Sequence, residues 1–322
     1  MRKVLPLALT GLLALSACQF AGDDDPAGDA HRLNSMQAFP LHAYYPDPDS
    51  DDAKVIGKAE WVLGKKCMVG LGFPGFATLD TRTVEATYPV RRGYPASSSM
   101  PGDDSPYGVD DPDRAADHGY HNREQDDSSQ PMEWPVDQYV ALTGRYETGD
   151  SRRAHGHPIP EGGCLGEAGR KIYGPPPKAR KVNGVRVSGS YTTAAELWSK
   201  AARQARKDPA WKKADRAWSD CMREKGFHYS EPDKALYDSA WYGTAGSPSG
   251  KEKKTAAADA QCKLDTDYIT DVHAVETRFQ KAAIGKHKKE LGELRAAVKQ
   301  AVETSRTIID KASRDARPTE AS

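Results

Sequence analysis

Two segments of this chain end alike. Cys67-Met-Val-Gly-Leu-Gly-Phe73 and Cys221-Met-Arg-Glu-Lys-Gly-Phe227 share the pattern C-M-x-x-x-G-F, and each follows a stretch of helical spacing that carries a tryptophan, Trp61 or Trp218. With Cys164 and Cys262 downstream, four cysteines follow Cys18. In an exported chain an even count favours disulfides, and four cysteines permit three pairings that spacing alone does not separate. The repeat favours one of them. If the two units are equivalent, each uses its own downstream partner, giving Cys67–Cys164 and Cys221–Cys262. A four-thiolate zinc site is the competing arrangement, but structural zinc usually takes closely spaced C-x₂₋₄-C pairs and none is present. A redox role is not expected either, since the chain has no C-x-x-C unit.

The N-terminus indicates export. Arg2 and Lys3 precede a short, mostly apolar run from Val4 to Leu15, then Ser16, Ala17 and Cys18. The run is short of the roughly 20 apolar residues a membrane span needs, but it suits a signal peptide. Small residues before a cysteine resemble the lipobox of bacterial lipoprotein precursors. That resemblance implies removal of residues 1–17 and a diacylglyceryl thioether on Cys18. Residues 18–50 then read as a tether from lipid to domain, acidic and small at Ala21-Gly-Asp-Asp-Asp-Pro-Ala-Gly-Asp29.

Charge excludes other partners. The chain has 46 basic and 46 acidic side chains, and loss of Arg2 and Lys3 leaves a slight acidic excess. No basic surplus supports nucleic-acid binding. Lys178, Arg180, Lys181 and Arg186, like Lys286, Lys288 and Lys289, form small basic patches. They could touch anionic lipid or wall polymer, although solvated surface charge explains them as well.

The fold expected is mainly α: disulfide-stapled helices with long irregular loops and a long C-terminal helix or helical hairpin. Residues 51–190 read as one N-terminal helix, capped by Asp51 or Asp52, followed by a loop-rich region. Within it, Thr83 to Val90 could form a short strand, Asp111-Pro112 starts a short helix, and a glycine-weakened helix surrounds Cys164. Residues 191–316 read as helical, starting at Thr192 or Thr193 and again at Asp208-Pro209. From Thr255 to about Ala312 the pattern suggests one or two long helices, interrupted near Gly285 or Gly292, as an antiparallel hairpin or a coiled-coil-like projection. Residues 317–322 read as a disordered tail.

Candidate chemistry is sparse. His118 with His121, and His155 with His157, are spaced as metal ligands could be, but neither pair belongs to a specific metal motif. No metal and no cofactor is therefore expected. Clustered Asp103, Asp104, Asp110, Asp111 and Asp113 read as a solvated acidic loop rather than a catalytic pair. Nucleophile elbows, dinucleotide fingerprints and phosphate loops are absent from the sequence. Tyr107, His118, Tyr120, His121 and Trp134 are the candidate binding residues, where loops should meet helices.

The lipobox, the tryptophan-bearing helices, C-M-x-x-x-G-F and the later Ala258-Asp-Ala-Gln-Cys262-Lys263 unit together resemble uncharacterised cell-surface lipoproteins of filamentous actinobacteria. The resemblance covers roughly residues 53–73 and 191–279 and carries no catalytic residue. It implies a lipid-anchored protein on the outer face of the cell membrane. The function expected is that of a scaffold or binding protein for cell-wall polymer or an envelope protein. The alternative is an envelope hydrolase using carboxylates or histidines of residues 103–161.

Overall fold

A computed structural model describes residues 26–45, 50–83, 89–92, 105–120, 132–176, 178, 180–182, 185–187, 189, 191–242 and 247–315. Cys18, the signal segment, His121 and the 317–322 tail lie outside the described residues. The fold is mainly α.

The chain enters through α1 (Pro26–Leu33) and two 3₁₀ turns, Met36–Ala38 and Pro40–Tyr44. The expected tether does not extend this far, because these residues are part of the core. Phe39 packs against Tyr107, Trp198 and His273 with ring centroids 4.9–5.9 Å apart. Leu41 is fully buried, and its N–H donates to Gln280 Oε1 at 3.0 Å. Asn34 spends its whole amide on the loop before the third helix. Its Nδ2 donates to Gly108 O at 2.7 Å and Asp110 Oδ2 at 2.9 Å, while its Oδ1 accepts from Tyr107 N at 2.8 Å.

The helix α2 (Asp51–Gly70) starts at Ser50, whose side chain accepts from Ala53 N. Asp51 and Asp52 thus lie in the first turn, favourable to the helix dipole, rather than at the cap expected of them. At the other end Gly72 takes φ +90, its N–H donates to Val69 O, and Phe73 N–H donates to Met68 O at 3.0 Å. The second repeat behaves identically in α7: Gly226 has φ +87, donates to Arg223 O, and Phe227 N–H donates to Met222 O at 2.9 Å. C-M-x-x-x-G-F is therefore a Schellman cap, in which the left-handed position favours Gly and the methionine carbonyl accepts the closing bond from the phenylalanine N–H. Both methionines are fully buried beneath their caps.

The strand expected over Thr83 to Val90 is reduced to Val90–Arg91, which pairs in parallel with Glu133–Trp134. Residues 84–88 lie outside the described residues, and Thr83 closes a 3₁₀ turn. The middle of the chain contains α3 (Pro112–His118), capped by Asp111, and an unforeseen α4 (Val136–Thr143). A hairpin of Arg153–Ala154 with His157–Pro158 turns through His155 and Gly156, both at positive φ. It leads to α5 (Gly163–Tyr173). Gly144, ending α4, and Gly163, opening α5, meet backbone to backbone: a Cβ on either would come within about 2.4 Å of the other strand of chain. A two-stranded ribbon, Arg180–Val182 with Val185–Val187, precedes the helical half.

There α6 (Thr192–Ala205), α7 (Pro209–Glu224), α8 (Pro232–Leu236), α9 (Gly250–Asp265), α10 (Tyr268–Lys286) and α11 (Lys288–Asp315) follow in turn. The expected one or two C-terminal helices are three. Their breaks fall at Thr266-Asp267, where Asp267 adopts φ +51, and at His287, while Gly285 and Gly292 remain helical. Nor does α11 project. Its first half buries Leu291 and Leu294 beside Leu41 and Leu197, and its second half buries Ala301 and Val302 against Ile56, Ala59 and Ile172. One helix thereby closes the core of both halves.

The cysteines pair as the repeat implies. Cys67 joins Cys164 with Cα atoms 5.6 Å apart, stapling α2 to α5, and Cys221 joins Cys262 at 5.7 Å, stapling α7 to α9. Each bridge begins in the last turn before a Schellman cap.

Candidate functional site

The candidate residues do not converge. Tyr107 is a core residue: its ring packs edge-on to Trp211, and its hydroxyl donates to Glu276 Oε2 at 3.3 Å. Burial is the main cause of raised pKa values in both Tyr107 and Glu276. Tyr120 is likewise buried, stacked on Trp241 at 5.6 Å, with its N–H donating to Glu252 Oε1. His118 ends α3 beside Tyr120 at a narrow crevice of about 70 Å³ that also contains Asp110 and Asp111. Both carboxylates there have structural roles. Asp110 faces His31 and accepts from Asn34, and Asp111 caps α3. Tyr107 and Tyr120 thus anchor the 105–120 segment to the helical half.

Trp134 is different. It stacks between Trp61 (centroids 6.0 Å, 24°) and Phe76 (5.2 Å, 21°), forming a three-ring ladder from α2 to the 3₁₀ turn Pro74–Thr78. Trp134, Phe76 and Phe73 line an open cleft of about 470 Å³. A second cleft of about 490 Å³ adjoins it, sharing Phe73, Asp137 and His155. Together they run along the N-terminal end of α4.

His155 is the hinge between the clefts. Its position on a two-residue hairpin turn imposes φ +46, a conformation uncommon for a residue with a side chain. The imidazole meets Phe73 edge-on at 4.7 Å, and Nδ1 lies 3.0 Å from Leu71 O. The hairpin is thereby tied to the first Schellman cap. Gly72 permits this, since a Cβ there would come within 2.9 Å of the imidazole. Asp137, in the first turn of α4, is exposed at the shared wall, and Gln138 lies beside it.

Asp150 in the second cleft accepts from both Arg91 guanidinium nitrogens, at 2.6 and 3.1 Å, and from Glu147 N–H. These bonds, Arg91 foremost, hold its carboxyl below the usual range. It therefore cannot serve as the protonated member of an acid/base pair at neutral pH. The carboxyl raised to about 7 is Glu60, through burial; it sits near Tyr173, away from the residues that line the clefts. Among the described residues no three His, Cys, Asp or Glu side chains group as metal ligands, and no helix is long and apolar enough to cross a membrane.

No family model, curated protein or solved structure matches the chain. Sequence reasoning found Trp134 and weighed His155 only with His157 as a possible metal pair, and it missed Phe73 and Asp137. The C-M-x-x-x-G-F repeat does contain Phe73, and His155-Gly156 carries the hairpin signal. Asp137 had no local signal beyond its place after Trp134-Pro135.

Proposed function

We propose that this is a lipid-anchored extracytoplasmic binding protein of the bacterial envelope, and that its paired clefts hold an amino-sugar glycan of the cell wall. The observation that carries the reading is the juxtaposition of Phe73, Phe76 and Trp134 with Asp137, Gln138 and His155 in two adjoining open clefts. Aromatic carbon gives an apolar wall for the C–H groups of a sugar, while a carboxylate, an amide and an imidazole match its hydroxyl and acetamido groups. An open cleft suits a polymer segment better than an enclosed pocket does. The lipobox at Ser16-Ala17-Cys18 supports the location, and acyl chains contribute about 0.8 kcal/mol per buried CH₂ toward anchoring.

Titration with the tetrasaccharide of N-acetylglucosamine is expected to shift the Trp134 indole N–H resonance saturably. Asp137→Ala, an exposed change, should weaken binding about tenfold, the usual size for one charge-assisted hydrogen bond. No saturable shift in the wild-type protein would refute the glycan reading. For the anchor, Cys18→Ala should move the protein from the membrane fraction to the soluble one. Unchanged fractionation would show that no lipid on Cys18 holds it.

A further inference from the structure

A further concavity, of about 620 Å³, opens between α6 and α10, and its apolar lining is Leu197, Ala201, Phe279, Ala282 and Ala283. Its size falls within the range of small-ligand sites. Lys200, Lys207 and Lys286 surround it, and no carboxylate lines it. Lys200 pairs with Glu196 at 2.6 Å, and neighbouring Arg278 pairs with Asp208 at 2.6 Å. Lys207 and Lys286 are exposed and make no ion pair among the described residues, so their charge is available to a ligand.

We propose that this slot binds one acyl chain of an anionic phospholipid, with the headgroup held by Lys207 and Lys286. Charge complementarity selects an anion, and the mostly apolar trough selects an aliphatic chain. Size decides against a protein partner: ten residues line the slot, whereas a stable protein interface engages about 20–30 residues a side. The proposal depends neither on Cys18 nor on the glycan clefts.

The test uses the full chain and lysophosphatidylglycerol below its micelle threshold, with zwitterionic lysophosphatidylcholine as the comparison. Saturable binding is expected, at least tenfold tighter for the anionic lipid. Lys207→Glu/Lys286→Glu should remove that preference while leaving the weaker lysophosphatidylcholine binding within about twofold. Ala283→Trp should fill the trough and abolish binding of both lipids. Both lysines are exposed, so the charge-reversal variant decides the matter even if Ala283→Trp unfolds. Absence of saturable lysophosphatidylglycerol binding would overturn the proposal, as would equal affinity for the two lipids or an unaltered preference in the double variant. Binding of an acidic amphipathic peptide without any lipid binding would assign the slot to a protein and equally overturn it.

Discussion

Replacing Lys263 with methionine should cost about 3–5 kcal/mol of folding stability, the range for removing one partner of a buried ion pair. Lys263 and Asp259 are almost completely inaccessible, and Lys263 Nζ lies 3.1 Å from Asp259 Oδ1 and 2.9 Å from Val109 O. Trp218 Nε1 donates to the same carboxylate at 2.9 Å. Burial already raises the Asp259 pKa, and Lys263 leads the groups that oppose the rise. Without that ammonium the folded-state pKa climbs further above its unfolded value. The variant's stability is then best preserved below the unfolded pKa and declines as pH rises through the folded one. Its deficit against wild type should therefore grow as pH rises from the wild-type folded-state pKa of Asp259 toward the higher one of the variant. Denaturant unfolding at several pH values measures this. Asp259→Asn/Lys263→Met removes the stranded charge, keeps an acceptor for Trp218, and should recover much of the loss. A pH-independent deficit, or no recovery in the double variant, would contradict this account.

Loss of the Cys67–Cys164 bridge should be of similar size. In the chain-entropy treatment a loop closed across a separation of 97 residues is stabilised by about 4.7 kcal/mol, and one of 41 residues by about 3.9 kcal/mol. Cys67→Ser/Cys164→Ser should therefore lower the unfolding free energy more than Cys221→Ser/Cys262→Ser does. Among the described residues the first bridge sits in a core drawn from α2, the Pro74–Thr78 turn, α4 and α5, separate from the cluster around α7 and α9. Hydrogen exchange should accelerate across α4 and α5 in the first variant and remain near wild type across α7 and α9. Uniform acceleration would mean that the two halves unfold as one.

Local signals carried the stapled framework. A Schellman cap is written in adjacent residues, so Gly72 and Gly226 were readable, and the repeat they belong to indicated the cysteine pairing. Asp111 and Asp208 were readable as caps for the same reason. What stayed hidden is nonlocal. Asn34 looks like a turn residue, and only its distant partners at 107–110 make it a core clamp. Tyr107 and Tyr120 lie in sequence without periodicity, where exposure and burial look the same. The site was legible only at Trp134. Asp137 and His155 are brought to it by α4 and by a hairpin, neither of which has enough length to declare itself through hydrophobic spacing.

The double seating of α11 has a temporal side. Ile56 and Ala59 find Ala301 and Val302 only when nearly the whole chain exists. While the chain emerges N-terminus first, the first half waits with its apolar wall uncovered, and such long-range closures are slow and expose surface to aggregation. The Cys67–Cys164 bridge can form long before that final helix arrives. It would then act as a holding clasp, keeping the early half near its finished shape until the last segment seals it.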